Sequence, residues 1–268
     1  MIQPKLVPPR GILHAKVQPS DPGYGRYWPG ESLAPFVEHF WTVSWDVAEP
    51  EIAEVLPHPS VHLVLEADGK SRVAGVPKGR FTTRLEGKGR VLGTKFRPGG
   101  FRPFLEAPVS SLSGRTIPLE EIFGPAAEGL EERALGFADP VEAFEGVQAF
   151  LEGLRPIPDP QAELAARIAE RVATDREITQ VEQISAAFGL GTRSLQRLFS
   201  DYVGVSPKWI IQRYRLHEAA ERIATGAPID WPDLALDLGY ADQAHFIRDF
   251  RRLVGKSPAE YARGLRRT

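Results

Sequence analysis

Apolar and polar residues alternate over short stretches between residues 36 and 97, a spacing that predicts strands with one buried face. Residues 36–47 alternate in part, and residues 61–66 form a short apolar run that ends at a turn over residues 67–69. Residues 81–87 and 90–96 are predicted to pair as a hairpin around Gly87 and Gly89. We therefore expect a β-rich domain in the first half of the chain.

From about residue 102 the apolar residues recur at steps of three and four, which predicts helices. One predicted helix carries an apolar stripe formed by Val141, Phe144, Val147 or Gln148, Leu151 and Leu154. This stripe would either pack against its own domain or hold two copies of the chain together. Residues 156–160 contain three prolines, so they end the helix and are predicted to form a stiff linker.

Everything after the linker is predicted to be helical, with helices at 161–174, 181–188, 192–202, 207–224, 232–238, 242–253 and 258–265. Thr192, Asp230 and Asp242 are candidate N-caps, and Gly226 with Pro228 is expected to end the long middle helix. The predicted fold class is α+β. A β-rich N-terminal domain with helices (1–155) precedes an all-α C-terminal domain of seven helices (161–268).

Two stretches of the helical region repeat each other 51 residues apart: LQRLFSDYVGVSP (195–207) and FIRDFRRLVGKSP (246–258). Each contains a phenylalanine predicted to be buried, Phe199 and Phe250. Each closes on Gly-x-Ser-Pro, in which the glycine is expected to end one helix and the proline to start the next. Such a paired unit suits a long, periodic partner, and DNA is the first candidate.

Each unit has the pattern of a helix-turn-helix, in which one helix braces a second that enters the major groove. Such a second helix needs polar side chains on its outer face, since Arg can bond a guanine edge and Gln an adenine edge. The helix that joins the two units, 208–224, would be about 26 Å long. Successive major-groove faces lie about 34 Å apart, so the rod could hold two reading heads in adjacent grooves.

Residues 161–265 resemble the DNA-binding region of the AraC family of transcriptional regulators. The resemblance rests on LALDLGYADQAHFIRDFRRLVGKSPAEY (234–261) and ISAAFGLGTRSLQRLFSDYVGVSP (184–207). It implies base contacts from Arg193, Gln196 and Arg197 in the first unit, and from Gln243, Ala244, Ile247 and Arg248 in the second. Thr192, Lys208, Arg251 and Arg252 complete the expected DNA-binding set.

The two units are expected to differ in what they do. Ala244 and Ile247 cannot form hydrogen bonds with a base edge, so they would touch a thymine methyl, or the second unit would mainly grip phosphate. The segment FRPGGFRPFLEAPVSSLSG (96–114) is similar to a domain of uncharacterised function that often precedes this DNA-binding region. This resemblance covers roughly residues 25–135 and names no ligand.

The charge of the chain is unevenly distributed. The formal net charge is −2, with 17 basic and 20 acidic side chains in residues 1–157 and 16 basic and 15 acidic in residues 158–268. Residues 191–200 contain no acid but two arginines. Because salt screens charges beyond about 8 Å, a phosphate responds to this local balance rather than to the total.

The N-terminal domain holds the candidate effector-binding residues Trp28, Phe40, Trp41, Trp45, His58, His62 and Phe96. They would line a cavity, or simply form the core of the domain. His58 and His62 would share a side only in a fully extended segment, and Pro59 interrupts it, so no metal site is predicted. No cofactor is expected.

No nucleophile elbow, phosphate loop or dinucleotide fingerprint occurs, so an enzyme is not expected. The absence of cysteine excludes a cysteine nucleophile and a DNA alkylation-repair role. No run of 18 apolar residues predicts a membrane span, and MIQPKLVPPR lacks the apolar core of a signal peptide, so the cytoplasm is expected.

The expected function is a sequence-specific DNA-binding transcription regulator, controlled by a small-molecule effector bound to the N-terminal domain. The expected partners are double-stranded DNA, a small-molecule effector, a second copy of the chain and, for an activator, RNA polymerase. Two alternatives remain open. The N-terminal domain would only dimerise, without an effector, or it would be an enzyme fused to a DNA-binding domain.

Overall fold

The computed structural model describes residues 2–4, 12–14 and 24–265 of the 268-residue chain. The strands come first and the helices follow. The strands are β1 (Gln3–Pro4), β2 (Ile12–His14), β3 (Tyr24–Trp28), β4 (Val37–Val55), β5 (His62–Glu66), β6 (Arg72–Ala74), β7 (Phe81–Phe96) and β8 (Thr116–Pro118). The N-terminal helices are α1 (Leu119–Phe123), α2 (Leu130–Leu135) and α3 (Pro140–Gly153).

The strands form one antiparallel sheet in the order β1-β3-β4-β7-β5-β6-β8, with β2 added at the far end of β4. Its spine is the pairing of β4 with β7, which runs from Val37 opposite Phe96 to Val55 opposite Phe81. The predicted hairpin around Gly87 and Gly89 is therefore wrong. Residues 81–96 are one continuous strand, because its partner is the distant β4 and not its own second half.

The glycines of β7 make room for two indole rings instead of forming a turn. Gly89 lies opposite Trp45 and Gly93 lies opposite Trp41 in the register of the two strands. A Cβ at Gly93 would stand 2.0 Å from Cε2 of Trp41, so only glycine leaves space for the ring there. Small residues in a strand often mark such a close approach.

The apolar stripe of α3 packs against its own sheet. Phe144 is fully buried and stacks on Phe40 of β4, with ring centroids 5.1 Å apart, and it contacts Tyr27 of β3 at the same distance. Asp139 caps this helix by accepting a hydrogen bond from the backbone amide of Val141. Of the two roles expected for the stripe, packing on its own domain is the one observed, with Phe144, Val147 and Leu151 buried.

Up to residue 265, where the described part of the chain ends, seven helices follow the proline-rich segment, as predicted: α4 (Pro160–Thr174), α5 (Val181–Phe188), α6 (Thr192–Tyr202), α7 (Pro207–Ala224), α8 (Trp231–Asp237), α9 (Gln243–Val254) and α10 (Pro258–Leu265). The α+β fold class is confirmed. Asp230 and Asp242 cap α8 and α9 as expected. The N-cap expectation for Thr192 is wrong, because Gly191 occupies the cap and Thr192 is already in the helix.

Two apolar clusters hold these helices together, one for each repeat. The first centres on Leu195, Phe199 and Ile210, and the second on Phe246 and Phe250. The N-terminal domain contributes one buried side chain to each cluster, Val76 to the first and Leu56 to the second. No helix in the described part of the chain is long and apolar enough to cross a membrane.

Candidate nucleic-acid interface

The first repeat forms a helix-turn-helix from α5 and α6. Gly189 ends α5 in the left-handed conformation, with φ +63°, and lets the chain turn within three residues into α6. Leu195, Leu198 and Phe199 bury one side of α6. The opposite side exposes the four predicted contact residues Thr192, Arg193, Gln196 and Arg197.

The exposed side of α6 presents cationic and amide groups to the outside. Arg193 and Arg197 are four residues apart and therefore lie one above the other on the helix. No acidic residue occurs in 191–200 to neutralise them. Arg and Gln are side chains that can form bidentate hydrogen bonds with base edges in a major groove.

The second repeat forms the matching pair from α8 and α9, with Gly239 at φ +78° in the turn. Its outer side is less well suited to reading bases. Ala244 and Arg248 are exposed and Gln243 is half-buried, while Ile247 is half-buried and packs against the second apolar cluster. Of the four residues expected to contact bases in this unit, only Gln243 and Arg248 have side chains that can form such hydrogen bonds.

The other expected DNA contacts are exposed as well. Lys208, in the first turn of α7, is exposed, and so are Arg251 and Arg252 near the end of α9. Arg252 is partly engaged, because its Nη2 lies 2.9 Å from Oδ1 of the nearly buried Asp249. His245 also approaches Asp249, at 3.6 Å, so this histidine faces a carboxylate of its own helix.

The helix α7 lies between the two units and is fixed along its length. Its 18 residues span about 27 Å. Arg215, which is 2% exposed, donates to Glu218 at 2.8 Å and to the carbonyl oxygen of Val172 at 2.7 Å. Glu218 also binds Arg222, whose other amino group reaches Asp237 of α8. These bonds tie α4 and α8 to one rod, so the spacing of the two units is set by the fold.

The candidate effector residues are divided between the two faces of the sheet and the loop before β5. Phe40 and Phe96 are fully buried in the core of the N-terminal domain and pack against Phe144 and Phe101. The remaining residues of that set lie elsewhere: Trp28, Trp41, Trp45 and His62 lie on the other face of the sheet, and His58 lies in the loop before β5.

Histidines of the N-terminal domain are engaged by neighbouring side chains. Trp41 donates to Nδ1 of His62 at 3.2 Å, and the ring of His58 lies 4.5 Å from that of His217 on α7. Burial, then the charges of Lys95 and His39, lower the pKa of His62 to about 3, against a weaker opposing effect of Glu38. Among the described residues, no group of three or more His, Asp or Glu could hold a metal ion.

A cleft of ≈ 550 Å³ opens at another edge of the N-terminal domain. It lies between the turn after β5, the strand β8 and the helix α2, and Lys70, Arg72, Glu120 and Glu131 are among its lining residues. Arg72 is paired with Glu66 at 2.6 Å. None of the aromatic residues expected around an effector lines this cleft, and no periodic pattern in the sequence points to it.

The sequence also did not predict the contacts between the N-terminal domain and the C-terminal helices. Ser113 donates to the carbonyl oxygen of Gly204, directly after α6, and the hydroxyls of Ser110 and Ser200 are 3.2 Å apart. On the helical side of this junction, Tyr202 at the end of α6 donates to Asp159, the N-cap residue of α4, at 2.6 Å. The one sequence signal for this segment was the similarity of residues 96–114 to a domain that often precedes this type of DNA-binding region. That similarity did not indicate which residues make the contacts.

Two families match the chain. Residues 25–118 match a domain of unknown function (DUF6597), and residues 184–264 match a helix-turn-helix domain. The second match covers most of α5, all of α6 to α9 and most of α10, and so both repeats.

Curated relatives share the helical region. A transcriptional regulator of Pseudomonas aeruginosa, ExsA, is 29% identical over 86 residues, which is 32% of this chain and 30% of that protein. The activator RhaS of Escherichia fergusonii is 32% identical over 88 residues, 33% of this chain and 31% of that protein. The putative regulator YkgA of Escherichia coli is 35% identical over 81 residues, 30% of this chain and 34% of that protein. The chain therefore spans about a third of the length of the curated relatives it matches.

Solved structures were also similar in part. ToxT from Vibrio cholerae covers 84% of this chain and 98% of its own, at 14% identity and a TM-score of 0.41. The DNA-binding domain of AdpA, solved in complex with a target DNA, covers 41% of this chain and 96% of its own, at 28% identity and a TM-score of 0.32.

Proposed function

Because the chain carries an AraC-type helix-turn-helix domain behind a domain of unknown function, we propose that it is a transcription regulator that binds double-stranded DNA at specific sequences. The observation that carries this proposal is the pair of helix-turn-helix units on one rigid rod. Each unit turns the outer face of its second helix to solvent. The curated relatives of this region are named as transcriptional regulators, which supports the same function.

In this proposal α6 and α9 enter two successive major grooves on one side of the duplex. The unit with α6 reads bases through Arg193, Gln196 and Arg197, which are all exposed. The unit with α9 reads less, because Ile247 packs against its own core, and it grips phosphate through Arg251 and Arg252. The exposed Lys208 adds a phosphate contact at the start of α7.

A fluorescence-anisotropy titration of the full chain tests this function. The labelled duplexes are the DNA upstream of its own coding region and random duplexes of equal length and composition. Specific recognition predicts binding to the upstream DNA about 10³-fold tighter, or more, at physiological salt. Equal affinity for both, over all the upstream segments tried, would contradict specificity.

We propose that a small-molecule effector, if bound, occupies the cleft beside β8. Its volume of ≈ 550 Å³ lies within the range of about 300–1,000 Å³ that is usual for small-molecule sites. The strand β8 begins three residues after Ser113, which donates to the carbonyl oxygen of Gly204 at the end of α6. Movement at the cleft would therefore reach the first unit through a short, packed segment.

A thermal-shift screen of metabolites against the full chain tests the effector proposal. A ligand at about 100 times its dissociation constant stabilises the native state by about 2.7 kcal/mol. A hit that stabilises the wild type and not the variant Glu131→Arg, which replaces a half-buried carboxylate of the cleft lining, supports the location. A hit that stabilises both equally places the effector elsewhere.

We infer that a dimer, if it forms, uses a surface other than the apolar stripe of α3, because Phe144 and Leu151 of that stripe are buried. Sedimentation at micromolar concentration, with and without DNA, tests dimer formation. A monomer under both conditions contradicts it. If the protein is an activator, the proposal also includes contact with RNA polymerase.

We assign residues 1–155 to the regulatory domain, 156–160 to the linker and 161–268 to the DNA-binding domain. We assign no catalytic role.

A further inference from the structure

Two buried polar groups near the junction of α7 and α9 have no hydrogen-bond partner within the described part of the chain. One is Nη1 of Arg213, a side chain that is only 4% exposed, and the other is the hydroxyl of Tyr240, which is 6% exposed. A buried donor left without an acceptor costs about 1–3 kcal/mol, and more for a charged group. Such groups are few in native proteins, and an ion or water that binds them is one explanation for their presence.

Arg213 is held in place by stacking and not by a carboxylate. Its guanidinium carbon lies 4.3 Å from the ring centroid of Trp209, one turn earlier on α7. Stacking uses the face of the guanidinium and leaves its N–H groups, which lie in the plane, free to donate. Burial, and then the charge of Arg252, lower the pKa of Arg213 to about 10, which is the direction expected for a cation without a counter-ion.

A small half-open cavity of ≈ 40 Å³ adjoins this arginine. Three elements line it: the loop 78–79 of the N-terminal domain, the helix α7 and the helix α9. Its charged residues are Lys78, Arg213, Arg252 and Asp249. Three cations thus face one carboxylate, and that carboxylate is already bound to Arg252 at 2.9 Å. The cavity is therefore cationic and polar, and a water needs only about 10–15 Å³ of such space.

We propose that this cavity is an oxyanion site that takes a phosphate group, with Arg213 as its central donor and Lys78 and Arg252 as its flanking cations. Arginine suits this ligand, because its planar N–H groups match two oxygens of a phosphate. The ligand would connect the N-terminal domain, through Lys78, to the second helix-turn-helix unit, through Arg252. The phosphate comes either from the free anion or from the backbone of bound DNA, since Arg252 also lies on the proposed DNA surface.

The first arm of the test uses inorganic phosphate and the full chain without DNA, so it does not depend on the proposed function. Melting temperature is measured in potassium phosphate and in potassium chloride of equal ionic strength. We expect phosphate to raise the melting temperature of the wild type by about 2–4 °C. Arg213→Met, which fills the same space without the charge, should lose this shift. Arg167→Met, at an exposed site on α4, should keep it.

Two features ensure that a lost phosphate shift is not simply the result of a misfolded variant. Arg213→Met removes a buried charge that no carboxylate balances, so in chloride it should melt at or above the wild-type temperature. Lys78→Ala changes an exposed loop residue, so the fold is retained, and it should reduce the phosphate shift. A shift of the same size in the wild type, Arg213→Met and Lys78→Ala would mean that phosphate acts elsewhere, which excludes the free anion as occupant.

The second arm measures DNA affinity by anisotropy in the same buffers. If a backbone phosphate fills the site, Arg213→Met should bind DNA about tenfold more weakly, the cost of one charge-assisted hydrogen bond. Inorganic phosphate should also compete with DNA in the wild type beyond the effect of chloride. An unchanged DNA affinity together with a lost thermal shift assigns the site to the free anion. If neither the thermal shift nor the DNA affinity depends on Arg213, the proposal is overturned.

Discussion

At the scale of single residues, the sequence predicts which side chains face outward but not what they touch. The helical spacing correctly predicts the exposure of Arg193, Gln196 and Arg197. Once the apolar residues of a helix are buried on one face, the residues on the opposite face point to solvent. The contact of Trp41 with His62 could not be predicted in this way, since the two residues are 21 positions apart and lie on different strands. Ile247 was expected at the DNA surface and is half packed into the core, which the repeat alone could not show.

Replacing the two exposed arginines separates base reading from phosphate contact. We expect Arg197→Ala and Arg248→Ala each to cost about 1–3 kcal/mol on a cognate site and to relax preference at one base position. Arg167→Ala on α4 is the control and should change neither. The measurement is anisotropy on the cognate duplex and its single-base variants. A loss of equal size on every duplex would make these arginines phosphate contacts.

The half-buried His62 predicts a stability that falls in acid. Its folded-state pKa of about 3 lies below the ordinary value of 6.5, so the unfolded chain binds a proton that the folded chain refuses. The stability is complete above pH 6.5 and falls as the pH drops toward 3. Since one pKa unit is worth 1.36 kcal/mol, the loss at pH 5 is up to about 2 kcal/mol.

Urea unfolding at pH 7 and pH 5 checks this loss. His62→Gln keeps an acceptor for Trp41 but does not titrate, so its stability should depend less on pH. The remaining dependence would include His39, whose pKa is also lowered, chiefly by burial. Equal pH dependence in the wild type and His62→Gln would contradict this account.

At the scale of elements, helices were predicted more accurately than strands. The seven C-terminal helices agree with their predicted ranges within one or two residues, since their caps, glycines and apolar periodicity are local signals. The strand β7 was divided in two because its glycines suggested a turn. The reason for those glycines is the indole rings of the partner strand, and a long-range partner leaves no local signal.

Gly93 provides a test of that reason. We expect Gly93→Ala to destabilise the fold by about 1–3 kcal/mol, because the added methyl would overlap the ring of Trp41. The change should also alter tryptophan fluorescence before unfolding. Gly146→Ala on α3, where a Cβ meets nothing within 4 Å, should not destabilise it. Urea unfolding curves measure both, and an equal stability of Gly93→Ala and wild type would refute the close packing.

At the scale of the whole molecule, the sequence predicted two separate regions. It did not predict how these regions pack against each other. Val76 and Leu56 of the N-terminal domain complete the cores of the two helix-turn-helix units, and His217 of α7 lies 3.2 Å from the carbonyl oxygen of Pro57. Such contacts join residues up to 160 positions apart and have no periodicity. The N-terminal domain therefore packs against the helix α7, which lies between the two helix-turn-helix units.

The central claim is that one rigid α7 holds α6 and α9 in adjacent major grooves. The most direct measurement compares the affinity for a cognate duplex with that for the same duplex carrying about five extra base pairs between its two half-sites. Half a turn of DNA would move one half-site to the far side of the duplex. We predict that affinity falls about 100-fold or more, toward non-specific binding. An affinity that is unchanged by the insertion would contradict the claim.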